Sequence, residues 1–146
     1  MIHGMTTEQS AQPSEILLTS IYEWSDRAEI LYRLLSEREA SVNISHKAMP
    51  CWGDHIRFVE SKPYEAWYFI GEALGACYLS KQNEIGVFLF KEHQGNGYGR
   101  AAIKAIMEKH GWRRYLANVS PDNERSRFMF QGLGFKLCQQ TYELNA

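Results

Sequence analysis

The chain has 146 residues, 45% of them hydrophobic and 23% charged, with a formal net charge of −1. That length supports one well-buried core, and the near-neutral balance gives no general pull toward nucleic acid or an anionic membrane. No apolar run approaches the roughly 20 residues that cross a bilayer, and the polar start lacks a signal-peptide core, so a cytoplasmic protein is expected.

Residues 1–14 read as a flexible tail before a single domain over 15–146. Ile16 to Ile21 reads as a first strand. Ser25 caps a helix running to about Ala40, whose stripe is Ile30, Leu31, Leu34 and Leu35. Ser41 to Pro50 is irregular. Trp52 to Val59 reads as a short helix with Ile56 and Phe58-Val59 inward, stopped near Pro63. Glu65 to Glu72 and Ala73 to Ser80 are β-rich runs around a turn, and Lys81-Gln82-Asn83 turns into a strand over Glu84 to Phe90. A helix with Ala101, Ile103, Ala105, Ile106 and Met107 at helical spacing then runs to a Gly111 C-cap. Arg114 to Val119 reads as a strand. Asp122-Asn123 caps a helix carrying Phe128, Met129 and Leu133, and Phe135 to Leu144 reads as a closing strand. The order β-α-α-β-β-β-α-β-α-β predicts a mixed α/β sheet covered by crossover helices.

The three cysteines, Cys51, Cys77 and Cys138, are odd in number and far apart, and the five histidines are scattered. Reduced, buried thiols and no structural metal are the expectation.

The most informative stretch is Gln94-Gly95-Asn96-Gly97-Tyr98-Gly99, between a strand and a helix. Glycines at alternate positions let several backbone N–H groups face one way at a helix N-terminus, which makes an anion site suited to a phosphate. Arg100, at the helix start, can add charge-assisted contacts. No Gly-Lys-Ser/Thr follows, which disfavours a magnesium–ATP loop. An ordinary tight turn is the competing reading of the glycines alone.

These residues resemble the GNAT superfamily of acyl-CoA-dependent N-acetyltransferases. Gln94, Gly97 and Gly99 fill that family's Gln/Arg-x-x-Gly-x-Gly/Ala loop. Asn123, Ser126, Phe130 and Gly134-Phe135 resemble its second signature, and the two together span roughly residues 84 to 137. The resemblance implies a single-domain, mixed, mostly antiparallel central sheet with splayed fourth and fifth strands, flanked by helices. It implies acetyl-CoA as co-substrate, no metal, and a small amine acceptor. Amides from Gly95 to Arg100 would hold the pyrophosphate, Phe88 to Phe90 would pair with the pantetheine arm, and an N–H near Leu89 would meet the oxyanion. Asn123, Ser126 and Phe130 would flank the cofactor. Phe130 stands where the family often has a Tyr that protonates the leaving thiolate, and a phenyl ring cannot donate a proton.

Glu84 is the candidate general base, with His46 and His55 as alternatives. Asn43-Ile44-Ser45-His46 to His55, with Phe58-Val59 and Trp67-Tyr68, resembles family members that acetylate nucleotide-linked amino sugars, so His46, His55 and Trp67 are candidate acceptor contacts. Each has a plainer reading: a solvated strand-edge carboxylate, structural imidazoles, a core indole, a solvent-facing Arg100, an N-cap Asn123. The open alternatives are a peptide or protein amine as acceptor, or a non-catalytic acyl-CoA-binding module. A homodimer through the last strand is compatible with such a fold.

Overall fold

Period-two alternation between Ala66 and Leu89 builds a meander. β2 (Ala66–Ile70), β3 (Gly75–Leu79) and β4 (Ile85–Leu89) follow one another across short turns, and β1 (Leu18–Ser20) pairs with the outer edge of β2. The sheet order is β1-β2-β3-β4, every neighbouring pair antiparallel, with Tyr68 opposite Cys77 and Cys77 opposite Val87. The computed structural model describes residues 15–41 and 49–145; the expected tail over 1–14 lies outside them.

Alternation divides the core between two faces. Ile70, Cys77, Leu79 and Ile85 pack with Ala102, Ile103 and Ile106 of α3 (Tyr98–His110) and with Phe130 of α4 (Glu124–Gly132). Phe69, Ala76 and Phe90 face Leu31 and Leu34 of α1 (Arg27–Ser41) and Val59 of α2 (Trp52–Glu60). Helices therefore cover both sides of a mostly antiparallel sheet, as expected. Among the described residues, no helix is long and apolar enough to cross a membrane.

Five elements differ from the sequence reading, the closing strand among them. The first strand stops at Ser20, whose hydroxyl accepts the Tyr22 N–H at 3.2 Å; this local bond turns the chain into a 3-10 turn over Ile21–Glu23. Asp26, not Ser25, opens α1: its carbonyl accepts the Ile30 N–H at 3.1 Å. In α2 the inward pair is His55 and Val59, one helical turn apart, while Phe58 is exposed. Of the strand expected over Arg114 to Val119 only a parallel bridge forms, Leu116 beside Glu84.

The closing strand over Phe135 to Leu144 does not form. Its apolar residues change phase, from Phe135 and Leu137 to Tyr142 and Leu144, so no single face runs its length. The fifth strand it would pair with is itself reduced to that one bridge, and Leu137, Tyr142 and Leu144 lie exposed. Of the cysteines, only Cys77 is buried, which pushes its thiol pKa far up; Cys51 and Cys138 are exposed free thiols.

Candidate functional site

The register of β4 decides what its backbone offers. Ser80 N–H donates to Glu84 C=O at 2.8 Å and Phe90 N–H to Leu74 C=O at 3.0 Å, so the even-numbered residues of β4 bond to β3. The odd-numbered ones face the other edge. Ile85 N–H uses that edge to reach Leu116 C=O at 2.8 Å, and Leu116 N–H closes on Asn83 C=O at 2.9 Å. Beyond this clamp the chain draws away from β4. The Val87 backbone groups and the Leu89 N–H are left facing the opening without a partner among the described residues.

A cleft of about 840 Å³ fills that opening. One wall is Ile85 to Leu89; another is Asn118 to Ser120 with the start of α4; the far end is the glycine turn. After a 3-10 turn at Lys91–His93, Gly95 and Gly97 both adopt φ of +83°, a backbone that a side chain would strain. Gly97 is the residue before α3, and the first backbone bond of that helix runs from Ala101 N–H to Gly97 C=O at 3.1 Å. The amides just before Ala101 thus have no intrahelical acceptor and collect at the positive helix end.

Gln94 ties this turn to both neighbours. Its Nε2 donates to Leu89 C=O at 3.2 Å and its Oε1 accepts from Arg125 Nη1 at 3.1 Å. Arg125 and Arg100 both line the cleft, adding positive charge beside the free amides. Gly99 serves packing as well: a Cβ there would stand 3.2 Å from Met129 Sδ, so its absence lets α3 close on α4. Asn123 caps α4, its Oδ1 accepting the Ser126 N–H at 3.2 Å, and both residues line the cleft. A helix-end anion cradle, a free strand edge and two arginines form a continuous track for a molecule with a phosphate at one end and an amide-bearing arm.

Of the residues singled out from sequence, the cleft gathers Phe88, Leu89, Gln94, Gly95, Gly97, Gly99, Arg100, Asn123, Ser126 and Phe130. Asn96 and Tyr98 belong to the same turn but do not line it, and Phe90 is buried against α1. Glu84 sits just past the end of the lining. Its carboxylate accepts from Ser80 Oγ at 3.3 Å and from Asn118 Nδ2 at 3.1 Å, and Asn118 is a wall residue. His55 is not brought to the cleft: it is 5% exposed, with Nε2 2.9 Å from Ala28 C=O, and fastens α2 to α1. Trp67 stands behind the wall, 4.8 Å from the Tyr64 ring. His46 lies outside the described residues.

Sequence reasoning missed the wall formed by Tyr78 and Arg38. Tyr78 stacks on Tyr64 with ring centres 4.0 Å apart and planes at 6°. Burial raises both phenols, Tyr64 to about 12. The Arg38 guanidinium lies 4.1 Å over the Phe88 ring. The only signal available was parity: Tyr78 and Phe88 lie on the sheet face opposite Cys77 and Val87.

A family model described as "Acetyltransferase (GNAT) domain" matches residues 16–136. No curated protein sequence matches the chain significantly. Several solved structures share the fold. An acetyltransferase from Thermus thermophilus has a TM-score of 0.63 at 21% identity, over 83% of this chain and 86% of that one. A ribosomal-protein-alanine N-acetyltransferase from Brucella melitensis biovar Abortus 2308 has a TM-score of 0.62 at 14% identity, over 90% and 98%. AAC(6')-Iy, solved with the bisubstrate analogue CoA-S-monomethyl-acetylneamine, has a TM-score of 0.60 at 17% identity, over 90% and 97%.

Proposed function

We propose that this chain, which belongs to the GNAT acetyltransferase family, moves an acetyl group from acetyl-CoA to the primary amine of a small molecule by direct attack. The observation that carries the reading is the free edge of β4, where the Val87 backbone groups and the Leu89 N–H have no partner among the described residues, leading into the Gly95–Gly97 turn. Acetyl-CoA supplies an activated thioester; the residues here bind, orient and move a proton. The turn amides with Arg100 and Arg125 suit the pyrophosphate, and the β4 edge suits the pantetheine amides.

Strand spacing apportions the chemistry along β4. Leu89 is five residues from Glu84, about 17 Å along an extended strand, and Val87 three, about 10 Å. A glutamate side chain and one water span the shorter distance and fall short of the longer. Glu84 as proton acceptor therefore goes with the Val87 N–H as oxyanion donor, leaving Leu89 to the pantetheine arm. Asn118 holds the Glu84 carboxylate at the cleft wall. The amine nitrogen bonds to the acyl carbon, its proton passes to Glu84, and the C–S bond breaks. Phe130, buried beside the cleft, offers the leaving thiolate packing and no proton. A thiol of pKa about 8.5 leaves adequately near neutral pH without a donor. The leading acceptor is an amino sugar, free or nucleotide-linked, supported by the similarity over residues 43–68.

The test is acetyl-CoA consumption, followed as released thiol, across a panel of amines, with wild-type and Glu84→Gln protein. The expected result is amine-dependent release that falls about 10²- to 10⁴-fold in the variant while acetyl-CoA affinity is retained. Tight coenzyme A binding without turnover on any amine would favour the acyl-CoA-binding module that Phe130 also suits. Absence of coenzyme A binding would overturn the reading of the turn.

A further inference from the structure

We propose that Arg38 anchors an oxyanion, carboxylate or phosphate, carried by the acceptor itself. The inference rests on the acetyltransferase reading and narrows its acceptor to an anionic amine.

Arg38 lines the cleft, yet its Nε is sealed from solvent with no hydrogen-bond partner. None of the ion pairs among the described residues includes it. Its neighbour Glu37 turns instead to the Lys91 N–H at 2.8 Å. The nearby phenols do not balance the charge, because burial keeps Tyr64 and Tyr78 protonated at neutral pH. The Arg38 guanidinium thus stands in a cleft that Glu37 also lines, without an ion-pair partner among the described residues.

Stacking explains only half of its environment. Phe88, at 4.1 Å, covers one face of the guanidinium, and a ring cannot accept the N–H bonds that lie in the guanidinium plane. Nε itself is sealed, so an acceptor arriving with a ligand would meet the guanidinium at its two terminal nitrogens, which take part in no ion pair among the described residues. The planar fork matches a carboxylate or phosphate edge-on, through two parallel charge-assisted bonds. Phe88 is next to Val87 on the strand, so the anion would sit within a small molecule's length of the reacting amine. The cofactor phosphates have their own cradle at Gly95 to Arg100.

The experiment compares acceptors that differ only in the anion: glucosamine 6-phosphate against glucosamine, and ornithine against ornithine amide. Each is assayed for thiol release with wild-type, Arg38→Ala and Arg38→Lys proteins, whose folding is checked by thermal melting. One anionic member should have a KM at least about ten-fold below its neutral partner. Arg38→Ala should erase that preference and Arg38→Lys restore part of it, with acetyl-CoA affinity unchanged. Which pair responds distinguishes phosphate from carboxylate. Equal KM values within both pairs would overturn the proposal, as would a loss of coenzyme A affinity in Arg38→Ala, which would assign the residue to the cofactor. Should no amine be turned over, the acetyltransferase reading fails. The same four compounds titrated calorimetrically against the coenzyme A complex then decide on the anion: an Arg38-dependent preference supports it, and indifference overturns it.

Discussion

Tyr78 lies flat across Gly86: a Cβ at Gly86 would fall 2.3 Å from both Cε2 and Cζ of the Tyr78 ring. The two residues are partners across the β3–β4 ladder, so the ring occupies the space the glycine vacates. On its other face the ring stacks against Tyr64 and has nowhere to retreat. Gly86→Ala should therefore displace Tyr78, at a stability cost of about 1–3 kcal/mol. Thermal melting checks the cost, and the acceptor KM should rise by more than the acetyl-CoA KM. Equal changes in both would mean that Tyr78 does not shape the acceptor side.

Gly75 is the harsher position. A Cβ there would meet the Phe88 carbonyl oxygen at 2.2 Å, and that oxygen is main chain held in the ladder. Gly75→Ala must push β3 away from β4. Loss of the cooperative melting transition, or a drop of several degrees in Tm, is the expected outcome.

Gly95→Ala separates strain from contact. No atom lies within 4 Å of the position its Cβ would take, so only the φ of +83° opposes the change, at about 1–2 kcal/mol. If coenzyme A phosphates rest on this turn, affinity should fall by more than the loss in stability accounts for, because the methyl group would stand in the ligand's place. A titration of coenzyme A against wild-type and variant reads the difference.

His110 gives the fold a pH dependence. Its Nε2 is 2.7 Å from the Tyr68 hydroxyl, and burial, outweighing the raising effect of Glu65, holds its pKa below the ordinary histidine value. A depressed histidine pKa means that the unfolded chain binds the proton more readily than the folded one. Its contribution to stability is therefore fully present above about pH 6.5 and declines as pH falls toward the lowered folded value. Denaturant midpoints measured from pH 5 to pH 8 should rise with pH, and His110→Gln should flatten part of that rise.

Legibility in the sequence followed the range of the interactions. The glycine turn and the Asn123 cap are local, encoded within six and four residues respectively, and both form where the sequence places them. The meander was visible because alternation in β2, β3 and β4 is enforced by two buried faces. The closing strand failed for the opposite reason: a strand exists only with a partner, and residues 117–119 do not supply one. His55 was drawn toward the site by its titratable ring, although its i,i+4 relation to Val59 marked it as an inward residue. Arg38 meets Phe88 from fifty positions away, a contact that no periodicity announces.

The division of labour along β4 has an evolutionary consequence. Even-numbered residues hold the sheet together through their amides, while Val87 and Leu89 keep their N–H groups for whatever enters the cleft. Recognition written in main-chain atoms is blind to side-chain identity, so one half of the cleft can stay chemically constant while nearly every letter around it changes. The patch made of the Arg38, Tyr78 and Phe88 side chains is written in side chains alone. Selection can rewrite that patch, and with it the accepted molecule, without disturbing the donor's seat.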